Sequence, residues 1–228
     1  MTFRLAHVSD LHLTGHESDS DFLDGLFASF REYDVDHVLV TGDVSENGES
    51  AAFRILDETR RASGFGPARS TVIPGNHDLR GRSAFMRRFG KEVFERRSLG
   101  SGEVCLVTID STGHQLTWAN NPRGWLEDRD LARLGVQLRG KRAPITLVAL
   151  HHHVVDVPDE GWTETLGRWT PLVGLPPQWG PVERAEELLD VLLKHRVDAV
   201  LSGHVHKAYR HVRRRGEHNL RCYVAGST

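Results

Sequence analysis

Long apolar runs are missing from this sequence. Nowhere do about 18 consecutive apolar residues occur, and the opening MTFRLAHVSD contains no apolar targeting core, which argues against membrane spanning and secretion. A cytoplasmic location is therefore expected. Cysteine is almost absent too: Cys105 and Cys222 both sit in apolar, strand-like runs and are expected to be buried free thiols rather than a disulfide framework. Net charge is nearly nil, with 29 Lys and Arg against 31 Asp and Glu, so no broad electropositive surface is available for duplex nucleic acid. No G-x-S-x-G elbow, internal repeat or low-complexity linker is present. With 228 residues, 39% of them hydrophobic, residues 1–228 are expected to fold as one domain with a substantial core.

Histidine, by contrast, is abundant: the chain holds fourteen. Their placement follows the elements. The runs FRLAHVSD, HVLVTGD, STVIPGNHD, EVCLVTID, ITLVALHHH and VDAVLSGHVH read as strands. Between them lie helical patterns. Phe22, Leu23, Leu26, Phe27 and Phe30 form one apolar stripe, residues 182–195 a second and 126–139 a third. This alternation predicts an α/β fold with helices covering a sheet.

In five of the strand-like runs the polar residues gather at the downstream end: Asp10 and His12, Asp43, Asn76 and His77, His151 to His153, and His204 and His206. The C-terminal edge of a sheet is where α/β folds place ligands. Asp10 and His12 are two apart, as are His204 and His206, so in extended backbone each pair would point to one side. Imidazole nitrogen with carboxylate oxygen suits zinc, iron or manganese, and the absence of nearby cysteine argues against a thiolate site. Seven or eight such donors exceed the needs of one ion. Two ions sharing a carboxylate would use them all.

DLH (10–12), GD (42–43), GNHD (75–78), the histidine at 151 and GHVH (203–206) resemble, in order and spacing, the five motifs of the calcineurin-like metallophosphoesterases. HVSDLHL and YVAGST are most similar to the cyclic-nucleotide and glycerophosphodiester phosphodiesterase branch. The resemblance implies a layered αββα sandwich with a dinuclear centre of two transition-metal ions, manganese, iron or zinc, at the strand edges. It further implies that Asp10, His12, Asp43 and His206 hold one ion, that Asp43, Asn76, His151 and His204 hold the other, and that Asp43 bridges. His77 would face the substrate phosphate. A hydroxide bridging ions ~3.5–4 Å apart would then attack phosphorus directly. The implied substrate is a small phosphodiester. A phosphomonoesterase or DNA nuclease would use the same ions, and a non-catalytic scaffold would have lost ligands that are all present here.

Some positions stay open at this stage. Many relatives carry HHPP where this chain has HHHVV, which leaves His151 and His152 as alternatives, the strand end favouring His151. His153 is expected in a supporting or surface position. His7 should face the opposite side of the pleat from Asp10 as a hydrogen-bonded core residue. His16, His37, His114, His195, His211 and His218 lack ligand spacing and are expected in solvent. Asp78 either orients His77 or caps the following turn, with capping favoured. Residues 154–181, with Trp162, Trp169 and Trp179, read as a cap over the pocket or an interface in a homo-oligomer. VRRRGEHN (212–219) reads as a solvated hairpin tip between strands ending at His211 and resuming at Leu220.

Overall fold

The computed structural model describes residues 2–90, 95–113, 123–140, 143–158 and 180–227. β1 (Leu5–Val8), β2 (His37–Thr41) and β3 (Ser70–Ile73) pair in parallel in that order. A second sheet runs β4 (Arg96–Leu99), β5 (Val104–Thr108), β6 (Ile145–Ala149), β7 (Ala199–Ser202), β9 (His218–Val224), β8 (Tyr209–Arg215). Its central strands are parallel, and β4 and β8 close its two edges in antiparallel pairing.

The period-two alternation of each strand decides what the two faces touch. In β2, Leu39 points into a cluster with Ile73 of its own sheet and Leu106, Ala149 and Leu201 of the other, so this cluster is the layer between the sheets. Val38 and Val40 point the other way. They join Leu23 and Phe27 of α1 (Glu17–Glu32), Phe53 and Leu56 of α2 (Ser50–Ala62) and Phe85 of α3 (Arg82–Phe89). On the far side, Val107, Val148 and Val200 pack against Leu134 and Leu138 of α4 (Asp128–Arg139) and Leu188 and Leu192 of α5 (Ala185–Lys194). The result is helix, sheet, sheet, helix, the αββα arrangement expected. Burying each of these large side chains contributes roughly 1.5–3 kcal/mol. Cys105 and Cys222 are joined in no disulfide among the described residues and are buried in the third cluster, as expected.

Local signals set several boundaries. A capping box between Glu127 and Asp130 starts α4, the Glu127 N–H donating to Asp130 Oδ2 at 2.8 Å. Asp19 accepts from the Thr14 and Gly15 N–H groups and fixes the entry to α1. Within α1, Leu23, Phe27 and Phe30 are buried, but Phe22 is 40% exposed and does not belong to the core stripe.

The hairpin tip is tighter than anticipated. β8 continues to Arg215 and β9 begins at His218, so the three arginines lie on an edge strand, where Arg213 pairs with Glu186 across to α5. His37 and His218 depart from the solvated reading. His37 is buried at the start of β2 and pairs with Thr71 Oγ1 at 2.9 Å; the half-buried His218 donates Nε2–H to the Val197 carbonyl at 2.8 Å. Both gain partners that only the sheet pairing supplies. His114, Trp162, Trp169 and Trp179 lie outside the described residues, as does most of 154–181; at its start, Val154 and Val155 are buried core. Among the described residues no helix is long and apolar enough to cross a membrane.

Candidate metal centre

Beyond the C-terminal ends of β1, β2 and β7 the chain turns sharply, and the turns are made by the polar residues themselves, while Asn76 and His151 follow β3 and β6 with ordinary backbone. Asp10 (φ 56°), His12 (φ 46°), Asp43 (φ 47°), His204 (φ 80°) and His206 (φ 55°) all have left-handed backbone. Such conformations cost a non-glycine residue on the order of 1–3 kcal/mol each and persist where the surroundings over-determine them, which is common at functional sites. Convergence of the two-apart pairs therefore does not arise from extended backbone, as the spacing suggested. Left-handed turns swing the side chains inward instead.

Two glycines allow the turns to approach. A Cβ on Gly75 would lie 2.1 Å from Asp43 Oδ1, and one on Gly203 would lie 1.8 Å from Ser9 Oγ and 2.5 Å from Asp10 Oδ2. Neither position admits a side chain.

The seven expected ligands are brought together. His12 Nε2 is 3.0 Å from His206 Nε2 and 3.9 Å from Asp43 Oδ2, while His206 Nε2 is 3.5 Å from Asp10 Oδ1. On the other side, His151 Nε2 lies 3.3 Å from Asp43 Oδ2, 3.0 Å from Asn76 Oδ1 and 3.3 Å from His204 Nδ1. Asp43 Oδ2 thus sits between the two groups. Its other oxygen accepts the His77 N–H at 2.9 Å, and the Asp10 carboxylate accepts the His204 N–H at 2.9 Å. The ligand atoms of Asp10, His12 and His206 lie within 4.8 Å of one another, as do those of Asp10, Asp43 and His151, close enough in each case to hold an ion.

Rear contacts fix which imidazole nitrogen faces inward. His151 donates Nδ1–H to the Thr41 carbonyl at 2.7 Å, which turns Nε2 toward Asp43 and Asn76. His12 gives Nδ1 to Glu46 Oε2 at 2.7 Å, so its Nε2 faces His206. Such backing holds the ring and raises the basicity of the inward nitrogen. His152 instead meets Ser111 Oγ through Nδ1 at 2.9 Å, so His151 is the histidine aimed at Asp43. His153 is buried and its ring stacks on that of His204 at 5.9 Å, a supporting rather than a surface position. His7 shares a hydrogen bond with Thr41 Oγ1 at 2.9 Å and stands outside the donor group, as expected.

Electrostatics mark the same cluster. Burial alone would lower the His151 pKa, but the charge and hydrogen bond of Asp43, with the charge of Asp10, outweigh it and hold the ring up at about 9. Burial would raise Asp43, yet the charge and hydrogen bond of His151 and the His77 contacts keep it well below the usual carboxylate range. At His204, burial and then the His151 charge push the pKa down to about 3. Buried carboxylates gripping protons on imidazole would grip a divalent cation in their place, and the oxygen and nitrogen donors fit borderline divalent ions.

Asp78 does not cap the following turn, nor does it touch His77. It is fully buried and accepts from the N–H groups of Gly75 (2.9 Å), Val44 (3.2 Å) and Ser45 (2.9 Å) and from Ser45 Oγ (2.9 Å), tying the Asp43 turn to the Asn76 turn. Glu46, which the sequence reading passed over, holds two site residues at once. Its carboxylate backs His12, and its carbonyl accepts His77 Nδ1–H at 2.7 Å. The available signal was its place three residues after Asp43 in GDVSE.

The profile of the calcineurin-like phosphoesterase family matches residues 3–208. A probable cyclic nucleotide phosphodiesterase of Vesicomyosocius okutanii is 25% identical over 214 residues, covering 91% of this chain and 80% of that protein. A 3′,5′-cyclic adenosine monophosphate phosphodiesterase of Vibrio vulnificus is 25% identical over 163 residues, covering 67% of this chain and 56% of the other. Among solved structures, a dimetal phosphatase from Danio rerio superposes with a TM-score of 0.70 at 14% identity, covering 98% of this chain and 87% of that one, a likeness of fold.

Proposed function

The chain belongs to the calcineurin-like phosphoesterase family and is a phosphoric ester hydrolase, and we propose that its substrates are small phosphodiesters, cyclic nucleotides foremost. The observation that carries the hydrolytic site is Asp43 Oδ2 between His12 and His151, 3.9 and 3.3 Å away. Asp10, His12, Asp43 and His206 would hold one divalent ion, and Asp43, Asn76, His151 and His204 the second. Bound there, such a pair supplies Lewis acidity toward phosphoryl oxygens and a water nucleophile at neutral pH.

The remaining chemistry belongs to the side chains. Thr41 and Glu46 hold His151 and His12 so that neither ring rotates away from the centre. His77 is fastened at both ends, its N–H on Asp43 and its Nδ1–H on the Glu46 carbonyl, which leaves Nε2 for the substrate. Once protonated, Nε2–H donates to the phosphoryl or leaving oxygen, assistance worth roughly 10²–10⁴-fold. Support for a diester comes from the names of the two relatives, and the net charge of −2 supports a small substrate over duplex DNA.

The test joins elemental analysis of the purified protein to a panel of cyclic nucleotides, glycerophosphodiesters, monoesters and duplex DNA. Two divalent ions per chain with diesters turned over fastest are expected. Faster monoester turnover, or cleavage of duplex DNA whose binding collapses as salt rises, would overturn the diester reading.

A further inference from the structure

The short turn after Asn76 carries a cation that the centre leaves unused. His77–Gly81 is a 3₁₀ helix, in which three residues complete a turn and side chains three apart eclipse. Its three faces are therefore His77 with Arg80, Asp78 with Gly81, and Leu79 alone. Asp78 and Leu79 are buried, which leaves the His77 and Arg80 face as the open one, and Arg80 is exposed. That face borders the donor cluster, because the His77 ring stands edge-on to the His12 ring with centroids 4.8 Å apart.

Arg80 is held at its base and free at its tip. A Cβ on Gly48 would lie 3.0 Å from Arg80 Cβ and 2.3 Å from Gly81 N, so the loop after Glu46 clamps the backbone of this turn. The Arg80 guanidinium has no hydrogen bond or ion pair among the described residues. Neighbouring Arg82 is engaged, with Asp110 and with Thr112 Oγ1. Three 3₁₀ residues rise roughly 6 Å, a span that an extended arginine covers when it folds back over His77.

We propose that Arg80 contacts the substrate phosphate, its guanidinium fork holding a non-bridging oxygen on the open side of the centre, next to His77. This rests on the phosphodiesterase reading of the site. A diester enters as a monoanion and gains a second negative charge as the nucleophile adds to phosphorus. A cation placed there binds the transition state and the dianionic product more tightly than the substrate. A fork also suits a compact phosphate with two free oxygens better than a bare ammonium does.

The experiment compares Arg80→Ala and Arg80→Lys with the parent, all metal-loaded. Inorganic phosphate is titrated by calorimetry, and kinetics are run on a cyclic nucleotide. Expected for Arg80→Ala are unchanged metal content and melting temperature, phosphate affinity weakened about tenfold or more, and kcat reduced on the order of 10²-fold with a smaller change in KM. Arg80→Lys should recover part of both, and added guanidinium ion should partly rescue Arg80→Ala. Parental phosphate affinity in Arg80→Ala would overturn the contact, whatever the kinetics. The calorimetric arm also separates this inference from the substrate reading: a parent inactive on every diester defeats that reading, while weakened phosphate binding in Arg80→Ala still upholds the contact.

Discussion

His151 gives its Nδ1–H to the carbonyl of Thr41 at 2.7 Å, and Thr41 is the last residue of β2, two positions before Asp43. One strand end therefore both presents a carboxylate and sets the imidazole that faces it, with Asp43 Oδ2 3.3 Å from His151 Nε2. Because Asp43 also lies within 4 Å of His12, it is the residue whose loss should disturb both halves of the centre.

Asp43→Asn keeps the shape and removes the charge. Metal content should drop below two ions per chain and turnover should fall on the order of 10²–10³-fold together with it. Elemental analysis showing both ions retained, with parental turnover, would remove Asp43 from the bridging position.

His77 should behave differently. It meets Asp43 through its backbone N–H and Glu46 through Nδ1, so truncating the ring breaks no hydrogen bond made by the inward-facing donors and removes only the edge contact with the His12 ring. His77→Ala is expected to lower turnover about 10²-fold or more while metal content stays at the parental level. The deficit should shrink for leaving groups of low pKa, which need no proton. Loss of one ion in this variant would make His77 a ligand.

The buried Asp78 carboxylate yields a prediction about stability. Its four donors approach from both oxygens: Ser45 N and Oγ at Oδ1, Gly75 N and Val44 N at Oδ2. An amide in its place would put NH₂ against N–H groups on one side whichever way it is turned. Asp78→Asn should therefore destabilise nearly as much as Asp78→Ala, each by about 3–5 kcal/mol in denaturant titrations. A near-neutral Asp78→Asn would show that these bonds do not hold the two turns together.

How much of this was legible in the sequence differs between elements. The strands were, because runs such as HVLVT and ITLVA are mostly apolar and rich in β-branched residues, as strands packed between layers tend to be. The gathering of polar groups beyond the strand ends was too, since Asp43, Asn76, His151 and His204 each follow closely on an apolar run. Helix α2 was hidden because Asp57, Thr59 and Arg60 share its buried face with Phe53 and Leu56, breaking the apolar stripe; Arg60 is satisfied there by Asp57 and Ser70. Strand β4 was hidden by its two arginines. The left-handed backbone at Asp10 and Asp43 and the clamp by Asp78 have no local signature, since the first depends on turn geometry and the second on pairing with Val44 and Ser45, more than thirty residues upstream.

His37 supplies the last prediction, on the dependence of stability on pH. It sits at the opening of β2, at the opposite end of the strand from Thr41 and Asp43, so it reports on the fold apart from the centre. Burial, followed by the charges of Arg97 and Arg69, pushes its pKa down to about 4 from the ordinary 6.5. The folded chain thus binds fewer protons at His37 than the unfolded chain between those values. Its contribution is intact above pH 6.5, declines as pH falls, and is exhausted near pH 4. The loss is at most about 3 kcal/mol. His37→Gln preserves a hydrogen-bonding group beside Thr71 but cannot titrate. Denaturant unfolding of parent and variant at pH 7.5, 6 and 5, at equal metal content, should show the parent losing about 1–2 kcal/mol more than the variant over that range. Other ionisable groups cancel in the difference because both proteins carry them. Parallel stability curves for the two proteins would mean that His37 is protonated in the folded state as easily as in the unfolded one, against its burial between the strand ends.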